Sequence, residues 1–109
     1  MDNSTIENGK TIALISYLTW IGTIIAFIMN GEKRNSFASF HIRQMIGLSL
    51  FSFINALFIV KYIGFWVAAI ISLVLFVFWM IGFMGAIKGE EKKIPYFADI
   101  FQEWFKSIA

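Results

Sequence analysis

The sequence predicts an all-α fold: an integral membrane three-helix bundle with a C-terminal amphipathic interfacial helix. Two observations carry that expectation. Apolar runs at residues 11–29, 45–60 and 63–87 each approach the length that a crossing helix needs, the second when its polar lead-in at 36–44 is included. That length is roughly 20 residues for about 30 Å of hydrocarbon. The 109 residues are 59% hydrophobic and 15% charged, with a mean hydropathy of +0.74, whereas a small soluble domain must cover much of itself with polar groups. The chain reads as a single membrane domain, 1–109, with crossing helices at about 10–30, 40–60 and 64–87 and an amphipathic helix at about 95–108.

Each element has a local reason. Residues 1–9 are polar and rich in turn formers, so a short flexible lead is expected. The first apolar run opens after Asp2 and Glu7 rather than a basic region and lacks an A-x-A-like site, so it reads as a retained helix, not a cleaved signal. It should stop at Asn30-Gly31, a dipeptide suited to the left-handed conformation. Ser36 or Ser39 would then cap the second helix, which continues through Phe40, His41, Arg43 and Gln44 into the membrane. Only Lys61 to Ile63 separates the second run from the third, which forces an antiparallel hairpin. The third helix should end at Lys88-Gly89. Tyr17 and Trp20, with Tyr62 and Trp66, fall where an outer aromatic belt would sit.

The tail has a different period. Pro95 suits a first helical position, and Phe97, Ile100, Phe101, Trp104 and Ile108 recur at spacings of three and four, opposite Asp99, Gln102, Glu103 and Lys106. Such a segment is expected to lie in the cytoplasmic interface, its face of Phe97, Phe101, Trp104 and Ile108 meeting a partner or lipid.

The net charge is +2, and its distribution says more than its sum. With three crossings, Lys10 and Lys61 share one side and the other seven Lys and Arg residues the opposite one. The positive-inside rule then places the amino terminus outside and the tail in the cytoplasm, as expected in a bacterial inner membrane. Zero cysteines exclude disulfides and thiolate metal sites. Nucleic acid is not an expected partner, because orientation and anionic lipid account for basic residues at a membrane edge.

Polar residues inside apolar runs are the candidate functional positions. Ser16, Thr19, Thr23 and Asn30, with Ala26, share one helical face; His41, Gln44, Ser52 and Asn55 share another; Ala68, Ser72, Gly82 and Ala86 mark a small-residue side of the third helix. These faces should turn toward helices rather than lipid, as contacts or as the lining of a path. Arg43 lies at the wrong end of its helix for a cation, so an ion pair with Glu32, Glu90 or Glu91 is expected. His41 stands without a second ligand at metal spacing, and no cofactor is expected. Between Met45 and Ile87 the ionisable residues are Lys61 and Tyr62, both at the hairpin, which argues against a proton relay or an intramembrane hydrolase.

Phe40-His41-Ile42-Arg43-Gln44 at the head of a membrane helix resembles the F-H-x-K/R-Q signature of small bacterial proteins related to the Tic-twenty component of chloroplast protein import. Gly82 to Gly89, followed by charged residues and Ile94-Pro95, looks like that family's closing helix, and Ser16-Tyr17-Leu18 like its start. The resemblance implies a place in protein transport or insertion, although its plastid members have four membrane helices. The expected function is thus a non-enzymatic subunit or accessory of a larger membrane assembly, in contact with the lipid bilayer and other membrane subunits. A homo-oligomeric channel or transport component is the alternative.

Overall fold

The computed structural model describes residues 3–108. Its helices are α1 (Asn3–Ser16), α2 (Trp20–Lys33), α3 (Ser36–Tyr62), α4 (Phe65–Lys88) and α5 (Ala98–Trp104), and there is no strand among the described residues. α3 runs through a π-helical turn at Asn55–Ile59 without stopping. Only α3 and α4, of 27 and 24 residues, are long and apolar enough to cross a bilayer among the described residues.

The first apolar run does not supply the expected third crossing. It breaks at residues 17–19 into two 14-residue helices, each about 21 Å long at 1.5 Å per residue. The cause is local. Thr19 turns into extended backbone and caps α2, its Oγ1 accepting from Gly22 N at 3.2 Å, while Ser16 Oγ bonds back to Ala13 O at 2.6 Å. Hydroxyl side chains offer the backbone such alternatives to continued helix. The lead expected to be flexible is the first half of α1, from Asn3 onward. Its Gly9 sits against the Asn35 side chain, where a Cβ would collide, so close approach and not helix propensity explains the glycine.

α1 and α2 fold back on each other as a hairpin of partial depth. Asn35 Nδ2 donates to Thr5 O at 2.8 Å, which places the start of α1 beside the α2–α3 turn. Ile6 also lies against Gly89, at the end of α4. At the hairpin's apex, Trp79 Nε1 from the middle of α4 donates to Tyr17 O at 2.7 Å. The start of α1 and the docked tail therefore lie at one end of the bundle, an arrangement different from the expected one with the termini apart.

The turns are set by particular residues. α2 passes the expected stop at Asn30-Gly31 and ends at Lys33, where Arg34 adopts φ 48 and its N–H bonds to Asn30 O at 2.7 Å. Asn30 is buried because its side chain holds the turn, accepting from Asn35 N at 2.9 Å and donating to Ser39 Oγ at 2.8 Å. Asn35, not Ser36 or Ser39, caps α3. The α3–α4 hairpin turns at Gly64, whose φ of 144 suits glycine alone, and α4 ends on left-handed Gly89.

The tail is docked, not afloat. Ile94, Ala98 and Phe101 are buried with Tyr17, Phe37, Met45 and Phe78 in the main core, and the Phe101 ring occupies the space a Cβ on Gly47 would need. Pro95 does not open the helix: Tyr96 follows at φ 68 and α5 begins at Ala98. Below the apex of the α1–α2 hairpin the molecule thins to α3 and α4, with Leu57, Phe58, Ile70 and Leu73 exposed.

Candidate functional site

The densest polar site lies where α3, the α1–α2 apex and the post-α4 segment meet. Gln44 makes three hydrogen bonds: Nε2 donates to Tyr17 Oη and to Lys92 O, each at 3.1 Å, and Oε1 accepts from Ile94 N at 2.9 Å. His41 Nε2 lies 2.9 Å from Glu90 O, and Nδ1 lies 2.6 Å from Tyr17 Oη. A carbonyl can only accept, so Nε2 carries the proton and Nδ1 accepts from the tyrosine. The chain of donors therefore runs from Gln44 through Tyr17 to His41 and out to Glu90 O. Both ring nitrogens are engaged, leaving no lone pair for a metal or for general-base work.

Arg43 does not form the expected ion pair with Glu32, Glu90 or Glu91. Its Nη1 donates to Gln102 Oε1 at 3.3 Å and its Nη2 to Lys106 O at 3.1 Å, while Gln102 Nε2 donates to Phe40 O at 2.9 Å. Glu90 contributes its backbone carbonyl instead, to His41. Phe40 stacks edge-on against His41 with centroids 5.0 Å apart. Phe40, His41, Arg43 and Gln44 thus form a clasp that ties the post-α4 chain to α3, while Ile42 packs against Ile12 and Ala26. Small residues let it close: a Cβ on Gly82 would lie 2.7 Å from Tyr17 Oη, and Ala86 is buried in the same core. Outside the spanning helices, the hydrogen bond that Lys93 donates to the Asp99 carboxylate raises the lysine's pKa above its ordinary value.

A second feature lies beneath the apex. Thr19, Ser52, Asn55 and Ser72 line a groove of about 390 Å³ with apolar walls that include Trp20 and Phe76. Asn55 is buried; its Nδ2 donates to Ala68 O at 3.0 Å and to Ser72 Oγ at 2.9 Å, and its Oδ1 has no partner. It opens the π-helical turn, an irregularity frequent at functional positions. Ser16 and Thr23 do not reach the groove as free donors, because their hydroxyls bond to Ala13 O and Ser16 O. Of the tail residues, Phe101 is buried and Phe97 half-buried, whereas Trp104 and Ile108 are 63% and 52% exposed. Tyr17 is fully buried and so is not part of an aromatic belt, whereas Tyr62 and Trp66 are exposed at the far hairpin.

Several residues that build the site were not legible as such. Tyr17 reads as a belt aromatic and Gln102 as the polar side of the tail helix, while Trp79 and Gly47 carry no assignment from the sequence. The available signal was the hydroxyl run Ser16, Tyr17, Thr19 in the middle of an apolar stretch, which marks a break more than a face.

Comparison with known proteins corrects the family expected from the motifs. The resemblance to Tic-twenty-like proteins is overturned: residues 8–101 match the MamF/MmsF family, described as the magnetosome magnetite crystal formation protein family. The chain is also 27% identical over 95 residues to a UPF0132 membrane protein of Methanocaldococcus jannaschii. That match covers 84% of this chain and 65% of the archaeal protein, so the chain spans under two thirds of its relative's length. No solved structure matches the chain. The short motifs encode a clasp between a helix head and a following segment, which is packing chemistry and does not identify a family. The match over residues 8–101 takes in most of α1, all of α2 to α4 and the tail as far as Phe101, and on that match the chain belongs to the MamF/MmsF family of membrane proteins.

Proposed function

We propose that the protein is a non-enzymatic subunit of a membrane assembly, and that it works by seating another transmembrane helix in the groove beneath the α1–α2 apex. The observation that carries this reading is the groove itself, whose apolar walls carry Thr19, Ser52 and Ser72 beside the buried Asn55. A polar seam in hydrocarbon is stabilised by a helix that brings donors and small residues to it. The engaged nitrogens of His41 support the absence of catalysis. In this reading the clasped end faces the cytoplasm, since Lys61 alone of nine Lys and Arg residues belongs to the far hairpin.

The family's description names magnetite crystal formation. The far loop, Lys61-Tyr62-Ile63-Gly64, carries no carboxylate to hold iron, so we read any such role as organising neighbouring membrane proteins and not as touching mineral there. Protein translocation rested on the resemblance set aside above, and no residue argues for it. A homo-oligomeric path is the second reading, favoured by the gathering of Thr19, Ser52, Asn55 and Ser72 on one groove. Extraction in mild detergent, with the mass and composition of the complex measured, tests the proposal. A defined complex that Ser52→Trp disperses supports it, and a lone monomer from native membrane sinks it.

A further inference from the structure

At the clasped end a separate pocket of about 400 Å³ opens between α2, the head of α3 and the tail. Arg34, Arg43 and Lys106 line it, and Phe27 and Ile108 form part of its wall. Lys106 is already paired with Glu103 at 2.8 Å. Arg34 and Arg43 have no acidic partner among the described residues, and Arg43 Nε is buried with no hydrogen bond. Two guanidinium groups without an acidic partner among the described residues thus line one pocket, and an anion there would offset their charge through charge-assisted hydrogen bonds.

We propose that this pocket binds the phosphate of an anionic glycerophospholipid. The pocket's apolar wall at Phe27 continues along exposed α2 through Ile28, giving acyl chains a path that a free phosphate would not use. Basic pockets between membrane helices at the cytoplasmic face are suited to such headgroups. The inference concerns a different surface from the helix-docking groove and does not depend on it.

The test uses the full chain in a neutral detergent, with dihexanoylphosphatidylglycerol and dihexanoylphosphatidylcholine titrated separately and binding read by native mass spectrometry. Wild type should prefer the anionic lipid. Arg34→Gln should weaken that binding about fivefold, and Arg34→Gln with Arg43→Gln roughly 30-fold, taking each arginine's surface contribution as independent. Should the double variant fail to fold, Arg34→Gln decides alone, because the Arg34 side chain makes no hydrogen bond or ion pair among the described residues. Equal affinity for the two lipids, or an unaltered Arg34→Gln, overturns the proposal. Displacement of the lipid by inorganic phosphate at equal concentration also overturns it, in favour of a free-phosphate site.

Discussion

Replacing Gln44 by Leu removes one side chain and three hydrogen bonds, two of which hold the segment between α4 and α5. The buried Ile94 N–H is left with no acceptor, a loss of about 1–3 kcal/mol. Lys92 O is only partly buried and can turn to water, and Tyr17 keeps its bond to His41, so these two losses are nearer the roughly 0.6 kcal/mol typical of side-chain bonds in membrane bundles. The total is about 2–4 kcal/mol, enough to raise the population of molecules with a released tail by at least roughly 30-fold. Two assays read it: the unfolding midpoint in mixed micelles titrated with an ionic detergent, and the rate of tryptic cleavage after Lys92 and Lys93. Since the bonds join the tail to α3, both should move together. An unchanged midpoint with tail cleavage at the wild-type rate would refute the clasp as a source of stability.

Other expectations follow from the same contacts. Gly47→Leu should expel Phe101 and destabilise the tail, whereas pairing it with Phe101→Ala should recover much of the loss; equal damage in the single and double variants, read by the same unfolding midpoint, would refute direct contact. Tyr17→Phe leaves His41 Nδ1 and one Gln44 proton unpartnered and should cost about 1–3 kcal/mol by detergent unfolding, with no effect counting against the donor chain. Gly22→Val should force α1 from α2, because a Cβ there meets Ile15 O, and should speed hydrogen exchange at the apex. Asn55→Leu removes two bonds together with one orphaned acceptor and should change monomer stability by less than about 1 kcal/mol while disturbing assembly, so a large loss in the isolated monomer would argue that the groove is only packing.

What the sequence made legible was decided by local signals. The α3–α4 hairpin could be read from two apolar runs with three residues between them, and the end of α4 from Lys88-Gly89, since a left-handed cap is a short-range requirement. The break at 17–19 was hidden because hydropathy averages over a window in which Thr19 and Ser16 are outvoted by isoleucines, although their hydroxyls decide the backbone. The cluster at Phe40, His41, Arg43 and Gln44 was legible as a place and not as a contact map. Beside Tyr17 and Gln102, its partners are backbone carbonyls and an amide about 48–63 residues away, which have no side-chain signature at all. Arg43 illustrates the limit. Charge complementarity suggested an acid, but the tail docks through Phe101 and brings Gln102 and the Lys106 carbonyl to it instead. The same docking buries much of a face that periodicity alone assigns to lipid or a partner, leaving Trp104 and Ile108 exposed.

We propose, as the central claim, that the first apolar run enters the bilayer and turns back, so that the start of α1 and the docked tail lie on one side. The chain has no cysteine, so single-cysteine variants report cleanly on sidedness. Asn8→Cys, Tyr62→Cys and Ser107→Cys all fall at exposed positions. Labelled with a membrane-impermeant maleimide in intact cells and in inverted vesicles, Asn8→Cys and Ser107→Cys should react from the same side and Tyr62→Cys from the other. Reaction of Asn8→Cys together with Tyr62→Cys would contradict the account and restore three full crossings.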